Sequence, residues 1–291
     1  MLNSSDYPAL EALSQIAQTG SFDLAARALN VTNGAISQRI SGLEDRLGAV
    51  LVRRTTPVVL TQFGGRLVRH FNDVRLLENN LSDILGPAKS RPTLRIAVTA
   101  DSIASWALPA FADVPDVLFD FEIDDQDHSD RWLRDGAVAG AITSRSTPVR
   151  GCDVTPLGAL SYTAVAHPNF VKTYFPNGIT PDALMQAPAL VFNRKDRLQH
   201  NWASRICGPN PRLSMHYLPS TADISSAARL GLGWAVNPSP LFTDDIAAGR
   251  MVPLDDTPLM IPLYWQTARL SKDALAPLTR ALKRAAKATL S

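Results

Sequence analysis

Apolar positions recur along this chain in two rhythms, and the change of rhythm divides it. Residues 1–85 keep three- and four-residue spacing, which predicts helices with one extended break near residues 51–60. Leu10, Leu13, Ile16 and Ala17 share one stripe of a first helix over Tyr7 to Thr19, and Gly20 ends it. Ser21 stands where an N-cap belongs, with Asp23 in the first turn. Phe22, Ala25, Ala26 and Leu29 supply the apolar face of a short second helix, and Asn30-Val31-Thr32-Asn33 is a tight connection. In a third helix Ile36, Ile40, Leu43 and Leu47 project together and bury together.

Pro87 and Pro92 bracket a short hinge-like linker, and beyond it the rhythm changes. Thr93 to Val98 and Val117 to Ile123 read as strands, with a helical stretch from Ser102 to Phe111 between them. A polar helix near residues 127–135 and an apolar strand over Val138 to Ile142 follow. Further on, strands are expected at Ala189 to Phe192, Trp234 to Val236 and Leu259 to Thr267, and helices at 221–230, 243–249 and Lys272 to Leu290. Strand and helix alternating at this spacing predict an α/β module on a largely parallel sheet, possessing one or two lobes.

The face of the third helix opposite its apolar stripe carries Gly34, Ser37, Gln38 and Ser41, where a merely solvated helix would more often show Glu and Lys. Short or amide-bearing side chains at a helix N-terminal end suit the major groove, where base edges come close. Short second helix, tight turn and longer third helix form a helix-turn-helix layout. Leu51-Val52-Arg53-Arg54-Thr55-Thr56-Pro57-Val58-Val59-Leu60 then reads as a wing, with Arg53 and Arg54 able to reach phosphates or a narrow minor groove. Thr61 caps a long helix whose positions Leu67, Phe71, Val74, Leu77, Leu81 and Ile84 form a seam. Packing on a symmetry mate would bury that seam, and so would packing on its own domain.

Composition fits this picture and narrows it. With 291 residues, 45% hydrophobic and 19% charged, the chain is globular and long enough for a core without disulfides. Its two cysteines, Cys152 and Cys207, fall in no motif and read as thiols of a reducing compartment. No apolar run approaches ~20 residues, and the first residues lack a basic start and an apolar stretch, so a cytoplasmic protein without a membrane partner is expected. The net charge of +2 says little, but its distribution says more. Seven arginines from Arg27 to Arg69 face only Glu44 and Asp45, whereas ten acids from Asp101 to Asp135 face two arginines. Such asymmetry suggests double-stranded DNA as partner at one end and a different partner elsewhere; solvated faces are the plainer reading of each run.

The residues that carry a family resemblance form a long ordered series. Ser21 to Leu29, Val31-Thr32, Ala35 to Ile40, Leu43-Glu44, Leu47-Gly48, Leu51 to Arg54 and Leu60 to Gly64 resemble the winged helix-turn-helix of the LysR-type transcriptional regulators. Ala100 to Trp106, Asp124-Asp125, Leu157 to Leu160, Tyr174 to Gly178 and Leu263-Tyr264-Trp265 resemble one branch, the lysine- and arginine-responsive ArgP/LysG regulators. Asn33 and Gly34 depart from the family, which usually has Gln and then a small Ser, Pro or Ala. Asp223 is displaced by one from an acid that the branch tends to carry near Ala222.

The resemblance implies a winged helix-turn-helix over residues 1–60, a linker or dimerisation helix and hinge over 61–92, and an effector domain over 93–291. That domain would be an α/β fold like a periplasmic binding protein, with lobe I about 93–162 and 264–291 and lobe II about 163–263. The implied function is effector-controlled transcription as a homodimer or homotetramer that recruits RNA polymerase. The implied effector is L-lysine or L-arginine, and the target a gene such as an amino-acid exporter. DNA contacts would come from Thr32, Asn33, Gly34, Ser37, Gln38, Arg39, Ser41, Arg53 and Arg54. Dimer contacts would come from Leu67, Phe71, Val74, Leu77 and Leu81.

Ligands in α/β sheets sit beyond the carboxyl ends of strands, near helix N-termini. Asp101 and Ser102 occupy such a place, and Ser220-Thr221 opens another helix that can face it. Asp101, Asp124 and Asp125 are candidate partners of a cationic side chain, and Trp106 of its stem. Helix capping explains Asp101 and Ser102 equally, solvated strand ends explain Asp124 and Asp125, and a core position explains Trp106. No HExxH, P-loop, post-strand GxGxxG or GxSxG is present and the five histidines are scattered, so no enzyme, metal site or cofactor is expected. Two alternatives use the same DNA-binding module: a regulator of another effector, or an effector-independent origin-binding or architectural protein.

Overall fold

A computed structural model describes residues 4–80, 91, 93–123, 132–133 and 137–291. Helices α1 (Tyr7–Thr19), α2 (Phe22–Ala28) and α3 (Asn33–Leu47) pack around Leu10, Leu13, Ile16, Ala25, Ala26, Ile36, Ile40 and Leu43. Each turn is set by a local cap. The Leu24 N–H donates to Ser21 Oγ at 3.4 Å, and the Ala35 N–H to Thr32 Oγ1 at 3.1 Å. Gly20 and Gly48 end α1 and α3 in the left-handed region.

Strands β1 (Val52–Arg53) and β2 (Val59–Leu60) pair antiparallel as the two arms of a wing. Glu44, on α3, ties the wing down: its Oε1 accepts from the Leu51 N–H at 2.6 Å and the Val52 N–H at 3.3 Å. Thr61 caps α4 (Gln62–Asn80), accepting from the Gly64 N–H at 3.1 Å. Among the described residues no helix is long and apolar enough to cross a membrane.

The remainder is built on a seven-stranded sheet of order β10-β6-β11-β5-β3-β4, with β9 also paired to β6, among the described residues. Strands β3 (Thr93–Val98), β4 (Leu118–Ile123) and β5 (Gly140–Thr143) are parallel. Strands β6 (Cys152–Ala166) and β11 (Leu259–Ala268) run antiparallel to each other over most of their length. Their Cys152 and Ala268 ends belong with β5, while the Ala166 end of β6 pairs with β9 (Ala235–Pro238) and β10 (Val252–Pro253). These two strands carry the chain between two lobes, and their register shifts between Leu263 and Tyr264.

The expectation of a largely parallel sheet therefore needs correcting. Among the described residues, only the pairs of β3 with β4 and β5 are parallel in this sheet; the crossing strands make the other pairs antiparallel. The second lobe adds a small parallel pair, β7 (Ala189–Val191) with β8 (Met215–Tyr217). The polar helix expected near 127–135 falls mostly outside the described residues; Trp132 and Leu133 are helical. The final helix begins later than its amphipathic pattern suggests, at Ala276, and runs to Thr289. Trp202 and Trp234 of one lobe and Ile96, Trp265 and Leu278 of the other belong to one continuous core.

Candidate nucleic-acid interface and effector cleft

On α3 the apolar stripe is sealed and the opposite side is open. Ile36, Ile40 and Leu43 are fully buried, whereas Thr32, Asn33, Gly34 and Gln38 are exposed and Ser37, Arg39 and Ser41 half-buried. Asn33 does not stand alone: its Nδ2 donates to the Asp23 carboxylate on α2, and its Oδ1 accepts from the Ser37 hydroxyl at 3.4 Å. Arg53 and Arg54 are exposed at the wing, and the Arg54 guanidinium lies 5.2 Å over the Phe22 ring. Small polar groups on α3 and exposed arginines on the wing are the chemistry that suits base edges and phosphates respectively.

The seam expected on the long helix divides in two. Leu67 and Phe71 lie in the module's own core, where the Phe71 ring meets Tyr7 edge-on with centroids 5.8 Å apart. Any face of α4 offered to a second copy therefore begins beyond them, at half-buried Val74. The Leu77 side chain and Leu81 lie outside the described residues. The same helix touches its own effector domain, where Arg69 Nη1 donates to the Leu133 carbonyl at 3.3 Å.

Where the two lobes meet, polar side chains from both gather. Strand β3 ends at Val98, and Thr99 caps the helical turn α5 (Ala100–Ser102) by accepting from the Ser102 N–H at 3.2 Å. Ser102 is buried and its Oγ accepts from the Thr99 hydroxyl at 2.9 Å, so this serine serves the local turn. Asp101 faces outward from the turn toward the other lobe. Its Oδ1 accepts from the Thr221 hydroxyl at 2.7 Å and its Oδ2 from the Tyr162 hydroxyl at 2.8 Å.

Tyr162 sits where β6 crosses between lobes. Thr221 begins a second-lobe helix, Thr221–Arg229, which Ser220 caps by accepting from the Asp223 N–H at 3.2 Å. One carboxylate thus joins both lobes and the strand between them. Burial pushes the Asp101 carboxyl above the ordinary carboxylate range; the two hydroxyls oppose this, and the Asp196 carboxylate adds to it.

Asp196 lies in the loop after β7, its oxygens accepting from the Leu198 N–H at 2.9 Å and the Phe192 N–H at 3.3 Å. Deeper in the second lobe, Asn237 Nδ2 donates to Ser225 Oγ at 2.8 Å and to the Thr221 carbonyl at 3.3 Å. Trp106 is a core residue, 3% exposed, within the π-helical turn Ile103–Ala107. Asp124 and Asp125 lie outside the described residues.

Sequence reasoning placed Asp101 and Thr221 at helix starts that could face each other, and the fold brings them within hydrogen-bond distance. It missed Tyr162, Asp196 and Asp23. Asp196 carried a usable signal, because it follows the predicted strand Ala189 to Phe192 by a few residues, as Asp101 follows Val98. Tyr162 and Asp23 gave none, since a strand tyrosine and a first-turn aspartate are ordinary.

A winged helix-turn-helix, a long connecting helix and a two-lobed α/β domain define a transcriptional regulator. Residues 8–65 match the bacterial regulatory helix-turn-helix proteins of the lysR family, and residues 87–291 match the LysR substrate binding domain. The HTH-type transcriptional regulator LysG of Mycobacterium tuberculosis is 41% identical over 283 residues, covering 97% of this chain and 93% of its own. The crystal structure of ArgP from Mycobacterium tuberculosis is similar across 100% of this chain and 99% of its own, with 39% identity and a TM-score of 0.83. Full-length LysG from Corynebacterium glutamicum with bound effector Arg is similar across 99% of each chain, with 34% identity and a TM-score of 0.72. The chain belongs to the LysR family, related to its ArgP and LysG members; such proteins are DNA-binding transcription factors, not enzymes.

Proposed function

We propose that this protein regulates transcription in response to a basic amino acid, L-lysine or L-arginine, bound between the lobes. The observation that carries the reading is the Asp101 carboxylate, buried and held between Tyr162 of the crossing strand and Thr221 of the second lobe. Burial disfavours the ionised form of Asp101, the Asp196 charge adds to this, and a cation placed against the carboxylate offsets both. A guanidinium or ammonium group supplies the donors that the hydroxyls now give Asp101, and the second-lobe helix start supplies N–H groups for the α-carboxylate. The likeness to a LysG holding Arg supports the same class of effector.

In this reading residues 1–60 dock on DNA, 61–92 link and dimerise, and 93–291 bind the effector. A homodimer or tetramer sets α3 helices into successive major grooves, with Gln38 and Asn33 toward base edges and Arg53 and Arg54 on phosphates. The effector exchanges the Thr221–Asp101 bridge for its own contacts. That alters the packing of the lobes, the spacing of half-sites and hence polymerase recruitment at a target such as an exporter gene. It acts only so far as it binds one quaternary arrangement better than the other. A thermal-shift screen of the twenty amino acids tests this: lysine or arginine should raise the melting temperature, and stabilisation by apolar or acidic amino acids alone would refute it.

A further inference from the structure

The N-terminal end of α3 holds a contact that the regulator reading does not use. Asn33, the first residue of α3, donates from Nδ2 to the carboxylate of Asp23 in the first turn of α2. Its Oδ1 accepts from Ser37, one turn further along α3, at 3.4 Å. Asn33 and Asp23 are exposed, as is Gln38 further along α3.

The chemistry of this pair fixes an orientation. An ionised carboxylate only accepts hydrogen bonds, so the nitrogen of the Asn33 amide, not its oxygen, must face Asp23. The serine hydroxyl donates to the oxygen on the other side. One N–H and one lone pair of the planar amide remain for a further partner. That pattern complements the N7 acceptor and N6 donor of adenine in the major groove. Gly34, next along, leaves the edge unscreened: a Cβ there would meet only Thr32 Oγ1, at 3.9 Å. The fold has room for a side chain at 34 and does not need the glycine.

We infer that Asp23 is a specificity-determining positioning residue, which holds the Asn33 amide in the one orientation that reads an adenine. The inference rests on α3 being the DNA-reading helix. It assigns to α2 a part in sequence selection, although Asp23 need not touch the duplex. A negative charge near the phosphates lowers affinity for every sequence, so the gain from Asp23 lies in discrimination.

The test uses the full-length protein and a random-sequence duplex pool. Sequences enriched by the wild type are re-measured with single-base changes at one ionic strength, alongside Asp23→Ala, Asp23→Asn, Asn33→Ala and the Asp23→Ala/Asn33→Ala double variant. The wild type is expected to prefer one A·T pair about tenfold. Asn33→Ala and Asp23→Ala should lose that preference alike, and the double variant should lose no more. Asp23→Asn, which keeps the shape but lets the amide turn over, should lose it too. Affinity of the Asp23 variants for the unselected pool should equal or exceed that of the wild type, with an unchanged melting temperature.

Asp23→Ala keeping a preference that Asn33→Ala removes would overturn the inference, as would equal losses at every base pair. Failure of the wild type to enrich any sequence would instead overturn the reading of α3 itself.

Discussion

A Cβ on Gly64 would come within 2.2 Å of the Leu51 carbonyl oxygen, where the long helix starts against the wing. Gly64→Ala should therefore lower stability by about 1–3 kcal/mol, read by denaturant unfolding, and loosen the wing; wild-type stability would show that the two segments can separate freely. Asp101 works in the other sense. Burial raises its carboxyl above the unfolded value of roughly 3.9, so the folded chain holds that proton to higher pH than the unfolded chain does. Its contribution to stability is full below the unfolded value and lost as pH rises through the folded one. Asp101→Asn should flatten this slope and match or exceed wild-type stability at pH 7 while binding basic amino acids at least tenfold more weakly. Thermal melts across pH and calorimetry check both halves. The residue scale was partly legible: a strand end followed by a capped turn exposes Asp101 to inspection. Of its partners Thr221, 120 residues away, was legible as a helix start that could face it, whereas Tyr162, 61 residues away, was not, because only the crossing of β6 brings it near.

In the proposed reading two elements divide the labour of binding DNA. Gln38 projects from α3 and Arg54 from the wing, so their losses should look different. Gln38→Ala should relax base preference and cost about 1–3 kcal/mol on the preferred site. Arg54→Ala should weaken binding to all sequences and shallow the salt dependence by about one phosphate contact. Titrations of one specific and one unrelated duplex at several salt concentrations separate the two, and a sequence-selective loss in Arg54→Ala would contradict its role. In the second lobe, Asp245 joins the end of the Thr221–Arg229 helix to the following turn, accepting from Arg229 and Arg250 at 2.7 Å each. Those hydrogen bonds hold its carboxyl below the ordinary range, so its stabilisation is present above the unfolded value and lost as pH falls through the folded one. Asp245→Asn should melt lower than wild type at pH 7, and the difference should vanish in acid. Most elements could be read from periodicity, since Ile36, Ile40 and Leu43, or Thr93 to Val98, keep one rhythm throughout. The sheet's direction could not, because alternation of strands and helices does not reveal that β6 and β11 run back through both lobes.

Over the whole molecule, the DNA-binding module and the effector domain meet through the long helix, where Arg69 reaches the Leu133 carbonyl. In the proposed reading, a change in lobe packing reaches through this contact to the helix that spaces the half-sites. The proposed regulation requires a cation bound between the lobes at Asp101, and calorimetric titration with L-arginine, L-lysine and the uncharged isostere L-citrulline measures that most directly. Saturable heat from arginine or lysine is predicted, with citrulline at least tenfold weaker and the difference lost in Asp101→Asn. Equal binding of citrulline, or no heat from either basic amino acid, would contradict it.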